Sequence, residues 1–164
     1  MRKTIYTLLL LTSLSGFSQE LFEYDFDENL TINVIDNSDE GEISNGKFIK
    51  GTFGNETVVY LNSKKEGLKE VSGKKLEKLF NGIKDGALKS SKGELISEDL
   101  IKINDVDFLN YKYSAKLNGE KMIIENYVFL YKENIYTIQF MNNDKEFDQN
   151  TEFRKGIIKS IKLK

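Results

Sequence analysis

The chain of 164 residues contains neither histidine nor cysteine. Ser-His-Asp and Cys-His nucleophilic sites, histidine metal sites and thiolate redox chemistry are therefore excluded within it. Acid–base chemistry is left to carboxylates. Asp25 and Asp27 lie near a strand end, and Asp105 and Asp107 lie in a turn; either pair supplies a general acid and a general base only if burial separates their pKa values. Solvated turn residues are the simpler account of both pairs. Asp25, Asp27 and Asn29 alternate like the first ligands of an EF-hand loop, but Leu30 stands where that loop needs glycine and Asp36 where it needs glutamate. Asp144, Glu146 and Asp148 form a second acid-rich stretch, read as an exposed loop. Gly67 and Gly73-Lys74-Lys75 have an interval one residue longer than a phosphate-binding loop, with Lys75 in the place of its magnesium-binding hydroxyl. No catalytic residue, metal or cofactor is assigned. The candidate binding residues are Tyr111, Tyr113, Tyr127, Tyr131 and Tyr136, which offer amphipathic contact area wherever they face outward, together with Asp105 and Asp107 beside them.

The tyrosines belong to the stretch Val106 to Met141, which reads as a three-stranded antiparallel meander. Leu109, Tyr111, Tyr113, Ala115 and Leu117 alternate with Asn110, Lys112, Ser114 and Lys116, the period of a strand with one buried face. Asn118-Gly119 predicts a two-residue type I′ turn. Met122 to Tyr131 is nearly continuous in apolar side chains, as a central strand covered on both faces would be. After a turn at Lys132-Glu133-Asn134, Tyr136, Ile138 and Phe140 predict a last strand with one wetter face.

Before the meander, Leu21 to Phe26 and Leu30 to Ile35 read as short strands, Asp36 to Gly46 as a polar connection, and Lys47 to Phe53 with Glu56 to Leu61 as a hairpin across Gly54-Asn55. Leu76, Leu79, Phe80, Ile83 and Ala87 then recur at helical spacing with lysines opposite, so a helix is expected over Ser72 to Lys89, with Ser72 as N-cap. Gly82 and Gly86 each cost it about 1 kcal/mol relative to alanine, which makes it dependent on packing and its second half prone to fray. Glu94 to Asn104 returns to strand. Phe153, Ile157, Ile158 and Ile161 predict a closing helix from near Asn150, with Ser160 to Lys164 an alternative edge strand.

Residues 1 to 18 place Arg2 and Lys3 before the apolar run Ile5 to Leu11 and a small-residue exit ending at Ser18, the pattern of a signal peptide. The run is far shorter than the roughly 18 to 20 residues of a spanning helix. Cleavage near Ser18 leaves a single exported domain over residues 19–164, periplasmic or secreted, with no membrane span. Loss of Arg2 and Lys3 takes 24 basic residues to 22 against 26 acidic ones, a formal charge of −4. Nucleic acid is an unsuitable partner for that charge.

The order of an antiparallel sheet, an intervening helix, Ile103-Asn104-Asp105 followed by Phe108-Leu109-Asn110-Tyr111, the hairpin, Phe129-Leu130-Tyr131-Lys132 and Ile135-Tyr136-Thr137-Ile138 resembles the Mog1/PsbP-like superfamily. Phe147, Phe153 and the ending Ser160-Ile161-Lys162-Leu163 are similar to that group's closing helix and terminal strand. The resemblance implies an α+β fold, an antiparallel sheet with helices packed on its faces in an α/β/α sandwich. It also implies accessory, assembly or chaperone-like roles more often than catalysis. The expected function is a non-enzymatic accessory protein that binds a protein or cell-envelope component. A carboxylate-dependent hydrolase and an immunity-type inhibitor of a secreted effector are the alternatives.

Overall fold

The computed structural model describes residues 21–164 other than 66 and 70. The signal-peptide segment lies outside the described residues. The elements are β1 (Leu21–Asp25), β2 (Leu30–Ile35), β3 (Asp39–Ile43), β4 (Gly46–Phe53), β5 (Glu56–Lys64), α1 (Lys74–Ser91), β6 (Glu94–Ile103), β7 (Val106–Leu117), β8 (Glu120–Tyr131), β9 (Asn134–Asn143), a 3-10 turn (Phe147–Asn150), α2 (Thr151–Lys159) and β10 (Lys162–Leu163). A seven-stranded sheet runs in the order β3-β4-β5-β9-β8-β7-β6, and a three-stranded sheet in the order β1-β2-β10. Every pairing is antiparallel.

The expected meander forms as β7, β8 and β9. Asn118 and Gly119 take φ of 53° and 88°, the pair of positive values that a type I′ turn requires. Strand alternation then sorts the side chains onto two faces. On one face Leu109, Tyr111, Tyr113, Ala115, Ile124 and Val128 are buried with Phe80 of α1. On the other, Phe108, Phe129, Tyr136, Ile138 and Phe140 pack with Ile32 and Ile35 of β2 and Ile157 and Ile158 of α2. Helices thus cover both faces of the large sheet, with the small sheet sharing the α2 side. Asn104 Nδ2 donates to the Ile161 carbonyl at 2.9 Å and the Tyr131 hydroxyl to that of Lys164 at 2.7 Å, tying the chain end to the β6–β7 and β8–β9 turns.

Three local expectations are corrected. The polar connection contains an edge strand, β3, exposed along most of its length; it requires no apolar face, and Gly41 admits the Phe48 ring, which an added Cβ would meet at 2.6 Å. The N-cap of α1 is Gly73 at φ 54°, with no side-chain capping bond, in place of Ser72. The helix also continues unbroken through Gly82 and Gly86 to Ser91, held by the apolar stripe that packs on β7 and β8.

Candidate functional site

The β1–β2 turn brings Asp27 over the ends of β5 and β9. Its Oδ1 accepts the backbone N–H groups of Asn29 and Leu30 at 2.8 and 2.9 Å, an Asx-type turn. Its Oδ2 accepts Asn62 Nδ2 at 2.8 Å and the Tyr136 hydroxyl at 2.9 Å. Asn62 Oδ1 in turn accepts the Lys47 N–H at 2.8 Å. Gly46 is required there, because a Cβ would sit 2.0 Å from the Asn62 carbonyl oxygen. Together with Phe26, Asn45, Lys64 and Asn134 these residues line a shallow cleft of about 480 Å³. Four donors on Asp27 saturate its carboxylate, which makes it a structural anchor of the cleft wall. Burial, then the bond to Asp27, pushes the Tyr136 phenol far above its ordinary pKa.

Asp25 does not converge with Asp27. It is exposed and takes the Lys164 ammonium at 2.6 Å and the Thr31 hydroxyl at 2.5 Å, contacts that hold its pKa low, with Lys164 the larger cause. Asp105 is exposed in the β6–β7 turn at φ 63°, and Asp107 pairs with Lys102 at 2.8 Å. The carboxyl that burial does raise is Glu56, but it is sealed from solvent against Arg154. Among the described residues no group of three acidic side chains is placed to hold a metal ion.

The seven residues expected to form one surface are divided. Tyr111 and Tyr113 are buried under α1, and Tyr136 is buried on the opposite face. Tyr127 and Tyr131 are half-buried on that opposite face, whereas Asp107 shares the α1 side by alternation with Leu109. The amphipathic surface that the tyrosines offer narrows to Tyr127 and Tyr131, because the packed layers on both faces take up the others.

The half of the large sheet beyond α1 is only partly covered among the described residues. Along β9, Tyr136, Ile138 and Phe140 are buried while Thr137 and Gln139 are half-exposed; β5 repeats this, with Val58 and Tyr60 buried and Val59 and Leu61 half-exposed. Phe48 lies across from Leu61, and Lys50 across from Val59. Phe48, Val59 and Leu61 belong to neither core cluster. They form an apolar stripe flanked by Lys50, Thr137 and Gln139. The sequence carried a signal for it, since Val58-Val59-Tyr60-Leu61 is apolar at both phases of the strand.

The cyanobacterial PsbP (CyanoP) of Synechocystis superposes with a TM-score of 0.64 at 11% identity, covering 92% of this chain and 96% of that one. The Ran-binding protein Mog1p of Saccharomyces cerevisiae gives 0.55 at 10% identity, covering 89% and 96%. LpqN of Mycobacterium tuberculosis, involved in cell envelope biogenesis, gives 0.56 at 11% identity, covering 88% and 90%. The fold is Mog1/PsbP-like. No family model matches the chain, and no curated protein matches it by sequence. In this Mog1/PsbP-like chain no helix among the described residues is long and apolar enough to cross a membrane.

Proposed function

We propose that the chain is an exported, non-enzymatic accessory protein that binds a protein component of the cell envelope through the partly covered half of its large sheet. The observation that carries this reading is the stripe Phe48, Val59 and Leu61, apolar and half-exposed on a sheet whose other face is sealed. An apolar patch rimmed by polar groups fits a protein partner, since burying it removes apolar area from water while the rim supplies hydrogen bonds. Export rests on the sequence of residues 1 to 18, with cleavage near Ser18. Mog1p, of the same fold, is a Ran-binding protein, and LpqN is involved in cell envelope biogenesis; both support the reading.

The hydrolase alternative has weaker support, because a general acid needs a raised pKa at a place substrate can reach. Glu56 has the first without the second, and Asp27 has a cleft but no free acceptor. Affinity capture from the envelope fraction of the source cell tests the binding reading. The wild type is expected to retain one protein in stoichiometric amount, and Leu61→Glu to release it; retention by both, or by neither, overturns the proposal.

A further inference from the structure

β6 is an edge strand of ten residues, regular from Ser97 to Ile103 after a shift of register between Leu95 and Ser97, in which Leu95, Ile96 and Leu100 are 44%, 52% and 61% exposed. A long edge strand with exposed apolar side chains is a template for another strand. The backbone fixes which residues present that template. Asn104 and Asp105 form a two-residue turn with φ of 49° and 63°, and Ile103 lies opposite Val106. That closing pair is hydrogen-bonded in such a hairpin, and bonded pairs recur at every second residue. The N–H and C=O groups of Asp99, Ile101 and Ile103 are therefore used on β7, and those of Glu98, Leu100 and Lys102 point away from the sheet.

We propose that a second copy of this chain occupies the edge, β6 pairing antiparallel with β6 about a two-fold axis at Leu100. Only residues of equal parity can lie opposite one another if the outward groups are to bond, so the registers compatible with the backbone are few. Centring on Glu98 sets Glu98 against Glu98, and centring on Lys102 sets two lysines together. Centring on Asp99 sets Leu100 against Glu98, and centring on Ile101 sets Leu100 against Lys102. Centring on Leu100 sets the most exposed apolar side chain of the strand against its own copy and places Glu98 opposite Lys102 on both sides of the axis. Charge and apolar complementarity thus select one register. Glu98 uses Oε2 for Lys84 and keeps Oε1 for the incoming lysine, while the exposed Lys102–Asp107 pair sits at the rim. The join unites two seven-stranded sheets and leaves the half-exposed stripe at Val59 and Leu61 free on each copy, at the far side of its sheet.

The absence of cysteine gives a clean test. Residues facing one another in a bonded antiparallel pair have Cα atoms about 5.5 Å apart, inside the disulfide range of about 4.4 to 6.8 Å. Under mild oxidation, Leu100→Cys is expected to form a covalent dimer on non-reducing gels. Asp99→Cys, displaced two residues from its own copy, is expected to give no covalent dimer. Sedimentation equilibrium of the otherwise unaltered protein is expected to give a dimer whose Kd rises at least tenfold in Lys102→Glu, which sets like charges opposite. No covalent dimer from Leu100→Cys, equal cross-linking from both cysteine variants, or an unchanged Kd in Lys102→Glu overturns the proposal.

Discussion

Arg154 Nη1 lies 3.0 Å from Glu56 Oε2, joining residues 98 apart in the chain with side chains 4% and 0% exposed. The guanidinium also donates to the Phe147 carbonyl at 2.6 Å and the Thr151 hydroxyl at 3.1 Å, and approaches Glu125 Oε2 at 3.3 Å. It stacks 3.8 Å from the centre of the Phe147 ring. One cation thus holds α2 and the 3-10 turn to β5 and β8. Removing it strands two carboxylates out of water, which costs about 3 to 5 kcal/mol for a broken buried pair. Arg154→Met is expected to lose that much in urea denaturation, and Arg154→Met combined with Glu56→Gln to recover part of it.

The same site sets a pH dependence. Burial is the largest influence on Glu56 and raises its pKa above the ordinary 4.5, against the pull of Arg154. A raised folded-state pKa means that the native protein holds the proton more tightly than the unfolded chain. This carboxyl therefore contributes less stability as pH rises from 4.5 through its folded value. Glu56→Gln cannot lose a proton and leaves Arg154 its contact with Glu125. Its stability relative to wild type is expected to improve steadily as pH rises through that window, measured by denaturation at a series of pH values.

Asp27→Ala strands the amide of Asn62, the phenol of Tyr136 and two backbone N–H groups. Each stranded buried group costs roughly 1 to 3 kcal/mol, and the turn position is only half-buried, so a loss of about 2 to 4 kcal/mol is expected. Asp27→Asn keeps one acceptor oxygen and should lose less. Chemical denaturation of the two variants checks the order.

The strands of the meander were legible because Leu109, Tyr111, Tyr113 and Ala115 obey a period of two, and because Asn118-Gly119 tolerates positive φ. The helices followed from Phe80 and Ile157 at helical spacing. What escaped was charge in the interior. Lysines on the face opposite the apolar stripe are expected to be solvated, yet Lys84 is 8% exposed and paired with Glu98. Arg154, on α2 beside Ile157 and Ile158, is 3% exposed. Each stands on the apolar stripe of its helix, Lys84 four residues after Phe80 and Arg154 three and four before Ile157 and Ile158. That phase was the available signal, but the partners Glu98, Glu56 and Glu125 come from distant strands that no local pattern links. The same limit hid the division of the tyrosines between two faces, because adjacent strands of a meander give their faces only once register is known.

Export predicts a defined mature end. Protein recovered from the periplasm or the medium of its source cell is expected to begin at Gln19, a mass that intact-protein mass spectrometry reads directly. Recovery of the full chain beginning at Met1 would contradict cleavage.

Binding through the partly covered sheet half is tested most directly by a photo-reactive amino acid placed at Val59 and, as a control, at the exposed Phe22 of β1, with irradiation in the living source cell. One discrete adduct of protein mass is expected from position 59 and none of that mass from position 22. No adduct at 59, or the same adducts from both positions, would contradict it.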